Sequence, residues 1–187
     1  MQELLFGFKE KKMKNSFNKF IFILIALLVL SFKTMQSDYY NKVRKPVSKL
    51  FEIDNFNLEI LPFLNTEKLK VLNKENFRAI VKDSIIGYTI LDKANSKFRY
   101  FDYLVILDDK LQIKLVKVLV YREDHGDEIQ SKRWLKQFIG LKKNNRAVLN
   151  ENIDGISGAT ISVKSLTNKI DQILKDLKTI DKNIKND

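Results

Sequence analysis

The chain has 187 residues, 44% of them hydrophobic, which is enough to bury the core of one ordinary domain with an appendage. It contains no cysteine, which excludes disulfides, iron–sulfur clusters, thiolate catalysis and zinc sites built on cysteine. The formal net charge of +11 is accompanied by no zinc-finger spacing and no ribonucleoprotein motif, so nucleic acid is not an expected partner.

The first predicted element is an apolar segment at residues 20–35, which opens with the uncharged run FIFILIALLVLSF. The run alone spans about 20 Å as a helix. With Lys19 and Lys33 reaching the headgroups, a helix from Ser16 to Met35 matches the roughly 30 Å hydrocarbon core of a bilayer. No Ala-x-Ala-like cleavage site follows, and the run is apolar on every face. These features favour an uncleaved signal anchor over a cleaved signal peptide or a buried core helix.

The lysine-rich residues 1–19 precede the apolar segment, so the positive-inside rule places them in the cytoplasm. We therefore expect a single-pass protein of the bacterial inner membrane, anchored in the lipid bilayer through residues 20–35. The rest of the chain would lie on the periplasmic, or extracytoplasmic, side.

Residues 36–76 are interpreted as an irregular stalk or lead-in. Pro46 is favourable in the first turn of a helix and predicts the start of a short one. Asn65 or Thr66 is a suitable N-cap for a second short helix that would reach about Leu72.

Residues 77–187 have the pattern of a folded domain that begins with two hairpins. The first has two arms rich in β-branched residues around a turn at 82–84. The second has arms at 101–107 and 111–121 around a turn at 108–110. The last arm is apolar on both faces, which predicts a central strand covered on both sides.

Two helices complete the predicted domain. Residues 131–140 predict a short helix with Trp134 inward and Gly140 as its stop. The last helix has an apolar stripe typical of packing on a sheet, in preference to a self-associating coiled coil. Its members are Val163, Leu166, Ile170, Ile173, Leu177, Ile180 and Ile184. The order predicts an α+β fold, with antiparallel hairpins forming a sheet with packed helices, preceded by one N-terminal transmembrane helix.

The last helix is preceded by a turn of small residues within ENIDGISGATISVKSL, residues 151–166. Gly158 and Ala159 have almost no side chain, so an anion could reach the free N–H groups and the positive dipole end of the helix. Three hydroxyl residues also lie here: Ser157, Thr160 and Ser162. The residues alone leave two interpretations open, a phosphate site and a simple capped turn.

The sequence DGISGAT, residues 154–160, resembles the flavinylation motif D-x-x-[S/T]-G-A-[T/S] of FMN-binding domains. These domains include the G subunit of the Rnf complex and the C subunit of sodium-pumping NADH:quinone reductase. The resemblance implies FMN as cofactor, joined by a phosphoester to Thr160 by a separate flavin transferase that uses FAD and a divalent metal. It also implies cofactor-binding roles for Asp154, Ser157, Gly158, Ala159 and Ser162.

The resemblance covers about residues 77–170 but departs from the family in one stretch. Where the family often has an H-x-E-T-P-G-like sequence, this chain has REDHG, residues 122–126. Glu123 and His125 are therefore candidate contacts to the flavin. Trp134 is a further candidate, either stacking on the ring or packing in the core. The acidic residues around His125 are more typical of a solvated loop than of a metal site, and no metal site is expected.

The expected function is that of a membrane-anchored, exported flavoprotein that relays electrons between membrane redox partner proteins. No catalytic residue is assigned, because such a protein is a carrier more than a stand-alone enzyme. A threonine hydroxyl needs a base to act as a nucleophile, and nothing in the sequence places the single histidine near Thr160. Two alternatives stay open: a flavin-dependent reductase with its own small substrate, and a non-redox exported module that binds another phosphate.

Overall fold

The computed structural model describes residue 21 and residues 38–61 and 68–184. By its internal contacts the chain divides into two units, residues 1–42 and residues 43–187. The elements discussed below lie in the second unit, apart from residues 38–42, which begin the described part of the first helix.

The predicted basic N-terminus, residues 1–19, lies outside the described residues, as does the predicted anchor, residues 20–35, apart from Ile21. Among the helices that the structure does describe, none combines the length and the apolar character needed to cross a bilayer. The anchor therefore stays a prediction from the sequence.

The second unit is an α+β fold built on one antiparallel sheet of five strands in chain order. The strands are β1 (Asn57–Glu59), β2 (Phe77–Val81), β3 (Ile85–Asn95), β4 (Tyr100–Asp108) and β5 (Ile113–Val120). Both predicted hairpins are confirmed, as β2–β3 and β4–β5. The tight turns after Val81 and Asp108 keep sequential strands adjacent, so the sheet is a simple meander.

The prediction that β5 is a central strand is wrong, because β5 forms one edge of the sheet. Its register shifts where Leu107 pairs with Ile113 but Ile106 pairs with Leu115, which leaves Lys114 as an extra residue. Such a bulge breaks the strict alternation of faces. Ile113 therefore does not share a face with Leu115, although strict alternation would place two residues that are two positions apart on the same face.

The edge at the start of β5 is covered by the chain that follows the short second helix. The N–H of Ile113 donates to the carbonyl of Leu141 at 2.8 Å, and its carbonyl accepts from Gly140 N–H at 2.9 Å. This covering satisfies edge groups that would otherwise face water. Together with the bulge, it explains why an edge strand has so apolar a sequence.

One face of the sheet is covered by the last helix, α3 (Thr160–Ile184). Six members of the predicted stripe are at most 2% exposed, and the side chain of Ile184 lies outside the described residues. The stripe packs with the odd-numbered residues of β4 in a single apolar cluster. The predicted packing of this helix on the sheet is thus confirmed.

The buried side chain of Asp176 ties the segment before β2 to α3. Its carboxylate accepts the backbone N–H groups of Lys70, Val71 and Leu72 at 2.7–3.1 Å. Residues 69–72 are not helical, so the second predicted short helix does not reach Leu72. Since β1 also joins the sheet, the folded unit includes much of what the sequence assigned to a lead-in at residues 36–76.

A second acidic residue of α3, Asp171, holds the chain that leads to the small-residue turn. Its carboxylate accepts hydrogen bonds from Arg146 Nε at 2.6 Å and from Ala147 N–H at 3.2 Å, and it pairs with Lys175. Burial acts to raise the pKa of Asp171, but these bonds outweigh it and hold that pKa below its ordinary value. The carboxylate thus stays ionised and keeps both bonds at neutral pH.

The described residues 38–51 are all helical, and we call this stretch α1. Pro46 therefore lies inside a helix and not at its start as predicted. Phe51, at the end of α1, lies against Gly87 of β3. A Cβ built on Gly87 would lie 2.8 Å from Phe51 Cζ and would also collide with the carbonyl oxygen of Leu107. Glycine at position 87 therefore lets Phe51 pack directly against the backbone of the sheet.

We expect Gly87→Ala to lower the free energy of unfolding by about 1–3 kcal/mol, because the methyl group overpacks this contact. Gly155→Ala is the matched control, since a Cβ there has only Asn150 Oδ1 near it, at 3.6 Å. Urea unfolding of both variants measures the difference. Equal midpoints for the two variants would show that Phe51 and the Leu107 carbonyl do not lie against Gly87 as described.

Candidate functional site

Thr160 is the first residue of α3, and its side chain is exposed. The first helical hydrogen bond runs from Val163 N–H to the Ala159 carbonyl at 2.9 Å. The N–H groups of the three residues before Val163 consequently have no carbonyl partner within the helix. Together with the helix dipole they favour an anion beside the Thr160 hydroxyl.

The turn before Thr160 is shaped by one left-handed residue and one buried residue. Gly158 has φ 84, a conformation that favours glycine, and a Cβ there would meet nothing within 4 Å. Ala159 is buried and donates its N–H to the Ile156 carbonyl at 3.2 Å. Asp154 and Ser157 are exposed. The turn therefore presents open backbone to solvent while Ala159 fixes it to the core.

Trp134 holds the start of the predicted motif. It lies in the short helix α2 (Lys132–Leu135), which continues as a 3-10 turn through Phe138. Its indole N–H donates to the Asp154 carbonyl at 2.7 Å, and Asp154 N–H donates to Gln137 Oε1 at 2.9 Å. Trp134 is only 6% exposed and packs edge-on against Phe138. The predicted packing of Trp134 in the core is observed, and stacking of its ring on the flavin stays a prediction.

The chain that follows β5 lies directly against the turn. A Cβ built on Gly126 would lie 3.5 Å from the Gly158 carbonyl oxygen and 3.6 Å from Ala159 Cα. The Tyr121 hydroxyl lies 3.2 Å from the Ser162 hydroxyl, and it donates to the His125 carbonyl at 2.9 Å. The structure thus brings two distant parts of the chain together at the first turn of α3.

The two predicted flavin contacts in this segment, His125 and Glu123, have different environments. His125 is exposed, and its backbone is one residue from the contact with Gly158. The Glu123 carboxylate instead turns towards the β3–β4 turn and accepts N–H groups from Phe98 at 2.7 Å and Arg99 at 2.8 Å. A hydrogen bond from the Ser96 hydroxyl, then those N–H groups, lower the pKa of Glu123.

Sequence reasoning missed three residues that position the site: Tyr121, Gly126 and Gln137. Gly126 has φ 83, so a glycine in an otherwise charged stretch was the available signal for a left-handed turn. Tyr121 and Gln137 gave no such signal, because their contacts depend on how β5 and α2 pack against the turn. Tertiary packing sets these contacts, and no local sequence pattern predicts them.

The fold and the site define a class of protein, namely an α+β domain in which a small-residue turn leads into the exposed N-terminus of the last helix. Residues 101–175 match the family model of the FMN-binding domain. This segment, from β4 through most of α3, belongs to the FMN-binding domain family, and the cofactor is FMN. No curated protein shows significant similarity to the chain.

The turn fits the phosphate end of FMN on three observations. The N–H groups of the first turn of α3 have no helical partner, and the space above Gly158 is open. The exposed Thr160 hydroxyl lies at the same place.

We expect Gly126→Ala to reduce the FMN bound per protein. Its Cβ would lie 2.8 Å from the Tyr121 hydroxyl and would displace that group from Ser162. Gly140→Ala is the matched control, because it has the same left-handed strain at φ 91, about 1–2 kcal/mol, but no atom within 4 Å of the new Cβ. Flavin absorbance relative to protein measures the effect.

Equal flavin content in the two variants, both folded by circular dichroism, would contradict the positioning role of the chain around Gly126. A loss confined to Gly126→Ala is the result that the geometry predicts.

Proposed function

We propose that the protein is a membrane-anchored, exported flavoprotein that carries FMN as a phosphoester on Thr160 and relays electrons between redox partners. The observation that carries the proposal is the position of the Thr160 hydroxyl. It is exposed, stands first in α3, and lies beside N–H groups that have no helical partner. These features lie inside the segment that belongs to the FMN-binding domain family.

Attachment requires an external enzyme in this proposal. In the part of the chain that the structure describes, no carboxylate or imidazole is hydrogen-bonded to the Thr160 hydroxyl, so an internal base is lacking. A flavin transferase would use FAD as donor. The Thr160 oxygen forms a bond to the flavin-side phosphorus, the bond from that phosphorus to AMP breaks, the hydroxyl proton is lost, and AMP leaves.

The residues of the turn hold the phosphate and leave the rest of the cofactor outside. Thr160 and the N–H groups of the first turn of α3 bind one end of FMN, and the isoalloxazine ring supplies one- and two-electron chemistry. An exposed attachment point suits a carrier, because the ring must reach both the protein that donates electrons and the protein that accepts them.

The membrane assignment is supported by the sequence pattern of residues 1–35. In this account residues 20–35 anchor the chain in the bacterial inner membrane and the FMN-binding domain lies on the extracytoplasmic side. The expected partners are the flavin transferase during maturation and membrane redox proteins afterwards.

We expect wild-type protein co-expressed with a flavin transferase to gain the mass of one FMN less one water. Thr160→Val keeps a β-branched side chain of similar volume but has no hydroxyl, so it should gain nothing. Thr160→Ser keeps a hydroxyl and should still be modified. Intact mass spectrometry after denaturation measures all three.

Modification of Thr160→Val, or no modification of wild type by a transferase that modifies another target in the same cells, would contradict attachment at Thr160. Thr179→Ala is a further control. It removes a hydroxyl much farther along α3 and should leave the mass gain intact.

A further inference from the structure

The tip of the β3–β4 hairpin carries an exposed patch of aromatic rings and cations. Phe98 is 80% exposed, the highest value among the large hydrophobic residues that the structure describes. Three cation–ring contacts organise the patch: Lys97 lies over Phe98 at 4.9 Å, Lys93 over Tyr100 at 4.4 Å, and Arg122 over Tyr100 at 4.6 Å. We call this the hairpin-tip patch: Lys93, Lys97, Phe98, Arg99, Tyr100 and Arg122.

The turn that presents Phe98 is held from both sides. Ser96 N–H donates to the Arg99 carbonyl at 2.9 Å, which closes the turn. The Glu123 carboxylate accepts the N–H groups of Phe98 and Arg99 from beneath. An exposed aromatic ring on an ordered turn loses little freedom when a partner covers it, and such rings often dominate binding energy.

The patch has a net positive charge. Among the described residues, no carboxylate lies within ion-pair distance of Lys93 or Lys97. Arg122 is paired with Asp102, and the Glu123 carboxylate is engaged by the turn itself. Charge complementarity therefore selects an acidic surface as the partner.

The patch lies at the same end of the domain as the small-residue turn at residues 154–160, which we call the cofactor turn. The Asn95 N–H, at the end of β3, donates to Ser165 Oγ at 2.9 Å. Ser165 follows Thr160 by five residues in α3, about 7.5 Å along the helix axis. Glu123 also links the turn to the chain segment that contacts Gly158.

We propose that the hairpin-tip patch is the surface on which an acidic redox partner protein docks to exchange electrons with the FMN. The inference rests on the proposed function and adds where and by what chemistry the partner binds. Phe98 is the central contact, and the surrounding cations pair with carboxylates of the partner. Docking here brings the partner beside the cofactor turn.

The test measures electron exchange between flavin-loaded full-length protein and detergent-solubilised host membranes, reduced with NADH or oxidised in air. Lys97→Glu should lower the rate about tenfold at low salt, with a difference that shrinks as salt rises. Phe98→Ala should lower it about fivefold at every salt concentration.

Matched controls lie at the other end of the sheet. Lys110→Glu reverses an exposed charge in the β4–β5 turn, about 25 Å along β4 from the hairpin tip. Ile85→Ala truncates a side chain that is 42% exposed at the start of β3. Both should exchange electrons at the wild-type rate.

Rates equal to those of the controls would refute the docking surface and leave the carrier function intact. Loss of rate with intact membrane vesicles but not with the solubilised membranes would identify a lipid-binding patch and refute protein docking. Wild-type protein that carries FMN but exchanges no electrons with the membranes would refute the electron-relay function, and the docking proposal with it.

Discussion

The burial of the apolar stripe of α3 against one face of the sheet is the contact on which the position of every functional group depends. The stripe begins at Val163, within one turn of Thr160, so the packed part of the helix starts directly behind the exposed hydroxyl. Because the helix cannot slide along the sheet without exposing this stripe, its first turn has a fixed place. The free N–H groups of that turn are fixed with it.

The cofactor turn is then held by contacts from two other parts of the chain. The Trp134 indole N–H donates a hydrogen bond to the Asp154 carbonyl at the start of the turn, and the Tyr121 hydroxyl lies beside the Ser162 hydroxyl just after it. Neither contact uses the hydroxyl of Thr160. This division of roles leaves Thr160 exposed while the backbone around it is ordered, which suits the proposed attachment of FMN by a second enzyme.

The sequence predicts those features of the fold that are local, and it fails where tertiary contacts decide. The hairpins and the stripe from Val163 to Ile180 follow from periodicity, and both are present. The place of β5 at the edge was missed, because a bulge at Lys114 and a covering loop produce the apolar pattern of a central strand. Likewise, Glu123 carries no local sign that it would support the turn at Phe98 and Arg99.

The central claim is that FMN is bonded to one threonine oxygen at the start of α3. Tryptic digestion tests it most directly, because cleavage after Arg146 and Lys164 releases residues 147–164 as one peptide. Fragmentation of that peptide should place the flavin phosphate on Thr160. Flavin found on Ser157 or Ser162, or flavin that leaves the protein on denaturation before digestion, would contradict the account.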